Sequence, residues 1–142
     1  MAYSAESDFL KRIKKSELDK LTAVSAGDGL TAAGILSESI DTADSMIDSY
    51  LSSQISTLPL DTVPKIITQA SVDIAIYHLH SRIQYIDIPE WVKTRYDTTI
   101  AWLKDIARGV AAIESLDTTE ETIVTGIDYG SDRISVFNSD TF

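Results

Sequence analysis

Residues 50–64 read Tyr50-Leu-Ser-Ser-Gln-Ile-Ser-Thr-Leu-Pro-Leu-Asp-Thr-Val-Pro64, and the fold turns on this stretch. A helical pattern runs into it and another runs out of it. Two of the chain's three prolines, Pro59 and Pro64, lie inside it. Proline disfavours helical geometry at the residue before it, so the incoming helix is expected to end near Gln54 to Thr57. Proline also suits the first helical turn, where its missing N–H costs nothing. The outgoing helix is therefore expected to begin near Pro64, with Asp61 or Thr62 as its cap. Leu58, Leu60 and Val63 are apolar and able to tuck beneath the helices they join. The stretch reads as a short, stiff link between two core helices.

Working outward, Leu36, Ile40, Ala43, Ile47, Tyr50 and Leu51 recur at three- and four-residue steps before the link, the spacing of one helical face. Glu38, Asp41, Asp44 and Asp48 occupy much of the other side and read as a solvated acidic face. After the link, Ile67, Ala70, Ile74, Tyr77 and Ser81 form a stripe widened by Ile66, Ala75 and Ile83, running to about Arg82–Tyr85. Asp87-Ile88-Pro89-Glu90 then opens a third long helix, with Asp87 as N-cap and Glu90 three residues on, a capping-box arrangement. Val92, Tyr96, Thr99 or Ile100, Leu103, Ile106 or Ala107, Val110 and Ile113 continue its stripe, with Gly109 inside it.

Towards the N-terminus, Phe9, Leu10 and Ile13 have helical spacing with Ser4 or Ser7 as a cap, and Ser16 to Leu21 reads as a further short turn. Ser25 to Gly34 holds Gly27, Gly29 and Gly34 and reads as a loop. No Gly-Lys-Ser/Thr follows, so a phosphate cradle is not expected. The fold class is mainly α: a compact bundle of about three long helices plus a short N-terminal helix, occupying residues 1–115. Residues 116–142 form an acidic arm, extended or a β-hairpin, because Thr122–Thr125 and Arg133–Phe137 are β-prone runs separated by Gly126, Asp128 and Gly130.

Composition limits the chemistry. A chain of 142 residues, 44% hydrophobic and 24% charged, fits one globular domain. It has no cysteine, so disulfides, thiolate metal sites and a Cys nucleophile are excluded. No apolar run reaches the roughly 18 residues of a membrane span. The basic residues Lys11–Lys15 follow Phe9-Leu10, the reverse of a signal peptide's order, so the protein is expected to stay where it is made. The net charge is −10, and −6 of it falls after Ile113, where seven acids face Arg133 alone. Duplex DNA is bound through Lys and Arg, so no specific nucleic-acid affinity is expected.

His78 and His80 are two apart and point in different directions on a helix, against the four-residue spacing of a two-histidine metal site. One is expected to be partly buried and the other exposed, with His80 able to sit at a helix interface. Glu38 and Asp41, with Asp73 on the next helix, are the best catalytic suspects. An all-helical metal-dependent nucleotide pyrophosphohydrolase would place magnesium on such acids, but Asp73 lacks an acidic partner three or four residues away. An acidic DNA mimic or other partner-binding module is the further alternative, for which the acidic face is short. No catalytic, cofactor or metal residue is assigned, and the chain is read as no enzyme.

Interface candidates are more numerous. Trp91 and Trp102 are eleven residues apart, roughly three helical turns, so both lie near one side of the last helix, as core or as oligomer contact. Lys11, Arg12, Lys14 and Lys15, with Lys20, are the basic cluster; opposite an acidic tail they suit either charge balance within the chain or a head-to-tail contact between copies. In the arm, Ile123, Val124, Tyr129, Ile134, Val136 and Phe137 are the side chains suited to strand addition on a partner.

The order of these features resembles the bacteriophage Mu-type head–tail connector family. The residues that carry it are Ile47-Asp48-Ser49-Tyr50-Leu51, Leu58-Pro59-Leu60 with Pro64, Asp73-Ile74-Ala75, Arg95-Tyr96 and Leu103 to Gly109, over residues 1–115. Gln54-Ile55 stands where the family pattern has Arg-Tyr, and the tail after Ser115 has no counterpart. The resemblance implies a structural protein of the virion neck, assembled in the host bacterial cytoplasm. It implies a ring of about twelve copies, which need not persist for the isolated chain. Its partners would be the portal and a tail or tail-completion protein, with neither cofactor nor membrane involved.

Overall fold

The computed structural model describes residues 2–113, apart from 25, 26, 28 and 85. The chain divides into a helical unit, Met1–Ala112, and a second unit, Ile113–Phe142. The proposed arm and its six interface residues from Ile123 to Phe137 lie outside the described residues. Within the helical unit are α1 (Glu6–Phe9), α2 (Lys15–Leu21), α3 (Ala32–Leu51), α4 (Lys65–Ser81) and α5 (Glu90–Ala107). No strand occurs among the described residues. The mainly α bundle is therefore the fold, and the further short turn read at Ser16 to Leu21 is a helix of its own, α2.

The three long helices run up, down and up. Ile35 and Glu38 share a groove with His78 and Arg82 while Asp44 meets Ser71, and Asp73 meets Thr99 while Tyr77 meets Tyr96, the crossed order of antiparallel neighbours. The C-terminal end of α3 lies beside that of α5, where Ser53 Oγ donates to the Ala107 carbonyl at 3.0 Å. The two-proline link behaves as its residues require. α3 stops at Leu51, Pro64 is the N-cap residue of α4, and the Leu58–Pro59 peptide is cis. Leu60 is buried, whereas Leu58 and Val63 are half-buried.

The helix ends differ from the sequence reading in instructive ways. α3 starts earlier than its apolar stripe, because Thr31 caps it by accepting from the Gly34 N–H at 3.0 Å. Gly34 is thus a first-turn residue and not part of the loop. Neither Asp61 nor Thr62 caps α4, and Asp87 does not cap α5; prolines 64 and 89 hold both N-cap positions without a side-chain bond. At α1 the N-cap is Ala5, whose N–H is taken by Asp8 at 2.9 Å, and Ser4 is buried elsewhere.

Gly109 lies outside α5. The helix ends at Ala107, and Gly109 has φ +79°. Gly109 N–H reaches the Ile106 carbonyl at 2.9 Å and Val110 N–H the Asp105 carbonyl at 2.8 Å, the Schellman pattern that a left-handed residue closes. Val110, expected on the buried stripe, is consequently 75% exposed.

α4 is the centre of the unit. It packs on α1, α3 and α5, and Ala70 to Ile76 are buried without a break. A helix covered all round has no solvent face, which is why a single stripe under-reads it. Ile66, at the less covered start, is exposed. Phe9, Leu18 and Leu21 from the N-terminal helices are buried against this body, each side chain stabilising by about 1.5–3 kcal/mol. No helix among the described residues is long and apolar enough to cross a membrane.

The left-handed stop makes a prediction. A Cβ at Gly109 would meet Gln54 Nε2 at an ordinary 3.7 Å, so G109A is expected to cost only the backbone term, about 1 kcal/mol. Thermal melts should show a fall of about 4 °C, with G109N losing less; an unchanged melt for G109A would contradict the assigned turn.

Candidate functional site

Of the four acids read as one solvated face, Glu38 and Asp41 are exposed, but Asp44 is 8% exposed and Asp48 half-buried. The helical period places all four away from the apolar stripe. It does not reveal that the N-terminal segment covers the lower half of that side. Asp44 Oδ2 accepts from the Tyr3 N–H at 2.8 Å, and Oδ1 from Ser71 Oγ at 2.7 Å. Ser71 Oγ is in turn 2.8 Å from Ser4 Oγ. The Tyr3 hydroxyl donates to Asp48 and accepts from the Leu60 N–H at 3.0 Å. One buried network therefore joins residues 3–4, α3, the proline link and α4. Burial pushes the Asp44 carboxyl above its ordinary range, against the opposing pull of its bonds from Ser71 and Tyr3. Burial, with the bond to Asp48, also pushes the Tyr3 hydroxyl far up.

A second carboxylate, Asp73, lies on α4 and is 9% exposed. Arg12 pairs with its Oδ1, Arg95 stands 4.0 Å from the same oxygen, and Thr99 Oγ1 donates to Oδ2 at 3.4 Å. Asp73 is thus held by cations and a hydroxyl, a structural arrangement, and Arg12 is committed inside the chain instead of facing a partner. Among the described residues no three His, Cys, Asp or Glu side chains gather into a metal-sized group. Two more of the basic cluster are locally balanced: Lys11 lies 3.7 Å from Asp8, and Lys15 lies 2.9 Å from Glu6 and 3.3 Å from Asp19. Lys14 is exposed.

Neither histidine is an exposed one. His80 is 2% exposed, and its Nδ1 lies 3.0 Å from the Ile76 carbonyl. A carbonyl only accepts, so Nδ1 carries the proton. His78 is half-buried with Nε2 3.4 Å from Met46 Sδ, and burial lowers its pKa. Its ring stands edge-on to Tyr77 and Tyr96, which stack at 3.9 Å and 16° across α4 and α5.

Two surface features remain unspent. Between α3 and α4 an open groove of about 220 Å³ is lined by Leu30, Ile35, Glu38, Ser39, His78 and Arg82. At the start of α5, Trp91 is 43% exposed beside the buried Val92, while Trp102 is half-buried. Sequence periodicity located the tryptophans. It missed the groove, which needs α3 and α4 in register.

The sequence matches the model of the family described as Bacteriophage Mu, Gp36, over residues 3–126. The chain belongs to the bacteriophage Mu Gp36 family. It is thus a phage protein of Mu type. A comparison with curated proteins returned no match. The Gp36 match begins at Tyr3, the residue that anchors the buried network, and continues past residue 115, where the resemblance read from sequence stopped.

The two buried carboxylates make separate predictions. Asp44 has a raised pKa in the folded state. Between the unfolded value of about 4 and the raised one, the folded chain keeps a proton that the unfolded chain has lost. Its contribution to stability is therefore largest below about pH 4 and falls as pH rises through the raised pKa. Urea titrations of wild type and D44N should give a stability difference, wild type minus variant, that declines with rising pH; a difference that grows with pH would refute this. For Asp73, R12A is expected to cost about 3 kcal/mol because it strands a buried charge. D73N added to R12A should recover part of that loss, and a strictly additive double variant would rule out the coupling.

Proposed function

We propose that this Gp36-family chain is a structural protein of the phage neck, a connector that assembles as a ring between portal and tail and lets DNA pass. The observation that carries the reading is the family match over residues 3–126, joined to the head–tail connector resemblance in the Tyr-Leu, Leu-Pro-Leu and Arg-Tyr phrases. The physical character of the helical unit supports it. Its buried carboxylates Asp44 and Asp73 are bonded to neighbouring segments, which favours one rigid shape, and a rigid body suits repeated identical contacts. The net charge of −10 supports passage of DNA without adhesion, since adhesion to phosphates needs cations. A neck location and assembly in the host cytoplasm follow from the same reading, as does work without turnover.

The test is co-expression with the portal protein of the same phage, followed by light scattering of the isolated chain and of the purified complex. The expected result is a stoichiometric complex whose mass adds a closed set of copies, in a ring visible by electron microscopy. Nucleoside triphosphates with magnesium should be returned unchanged. Failure to bind the portal, or hydrolysis that D73N abolishes, would overturn the reading.

A further inference from the structure

We propose that Trp91 of one copy seats in the α3–α4 groove of the next copy, and that this contact, repeated, closes the ring; the inference rests on the ring reading above. The groove has a definite chemical preference. Leu30, 52% exposed, and Ile35 give it an apolar wall. Glu38 offers an exposed carboxylate, an acceptor only. Arg82 presents a guanidinium whose plane is fixed, because Nη1 donates to the Leu21 carbonyl at 2.8 Å and Nη2 to the Ala23 carbonyl at 3.4 Å. A fixed guanidinium plane receives an aromatic face by stacking and cation–π attraction. The side chain that satisfies all three features has an apolar body, a π face and a single N–H donor with no acceptor. That is indole.

The chain exposes such a group. Trp91 is one of two tryptophans. It stands in the first turn of α5, one position round from the buried Val92 that faces the bundle. α5 is buried chiefly through a narrow stripe, Val92, Thr99, Leu103 and Ile106, which leaves Trp91 43% exposed at the start of the helix. Exposed aromatics of this size are the residues most often found as interface anchors.

The up-down-up order puts both halves of the contact at one end of the bundle: the start of α3, the end of α4 and the start of α5. A knob and a groove at the same height join copies by rotation without rise when the bundle stands along the rotation axis. That is the condition for a closed ring instead of an open filament. Glu38 and Arg82 also give the groove charges of both signs, which disfavours a purely aliphatic guest.

The experiment uses the full chain with its portal, in a W102F background that leaves Trp91 as the chain's only tryptophan, excited selectively over tyrosine and read as the difference from the portal alone. Assembly should shift Trp91 emission to the blue. W91A and, on the groove side, E38K should each weaken association between copies by about thirtyfold or more, with helical circular dichroism retained in both. If W91A and E38K assemble as wild type does, another contact makes the ring and this one is wrong while the ring stands. If W91A loses portal binding but keeps self-association, Trp91 meets the portal and the contact between copies is overturned. If wild type does not assemble on the portal at all, the ring reading fails and takes this contact with it.

Discussion

A carboxylate in the middle of a helix bundle must be matched by donors, and Asp44 is where this fold meets that requirement. Its two oxygens take one donor from the N-terminal segment and one from α4. Neither oxygen is free to turn to solvent, so three pieces of chain are fixed to one point. The Tyr3 ring then carries the constraint onward, since its hydroxyl is both donor to Asp48 and acceptor for Leu60. The link between α3 and α4 is thereby positioned by hydrogen bonds as well as by its prolines. Removing one member would leave its partners buried and unmatched, which is costlier than the net worth of any one bond.

Asp73 performs the same service on another side of α4. Arg12 comes from the connection between α1 and α2, and Arg95 and Thr99 come from α5. α4 thus carries Ser71 and Asp73 two positions apart, each serving different neighbours. Greasy surfaces alone admit several registers of similar energy. A polar group that finds its partners in only one register selects that register.

The three long helices were legible because apolar spacing at three and four residues is a local property of the chain. The proline link was legible for the same reason: Pro59 and Pro64 act on their immediate neighbours. The ends of α4 and α5 were misread because capping preferences are statistical and proline took the N-cap positions without a side-chain bond. Gly109 was taken for an interior residue because the apolar pattern runs past it through Val110. The acidic face was misread for a deeper reason. Periodicity equates a charged residue with solvent, and the residues that cover Asp44 lie 41 and 27 positions away in sequence. The same distance problem hid the fate of Arg12, whose partner is 61 residues on. The groove was not legible at all, since it exists only after α3 and α4 have docked.

The buried network also sets an order of events during synthesis. Tyr3 leaves the ribosome 41 residues before Asp44 and 57 before Leu60, and Ser4 precedes Ser71 by 67. At cellular elongation rates of about 5–20 residues per second, the N-terminal segment waits several seconds for its seat to be made. The bond to Asp44 cannot form before α3 has emerged, and those to Leu60 and Ser71 wait longer still. Phe9 of α1, which packs on α4, likewise lacks that cover until α4 has been made.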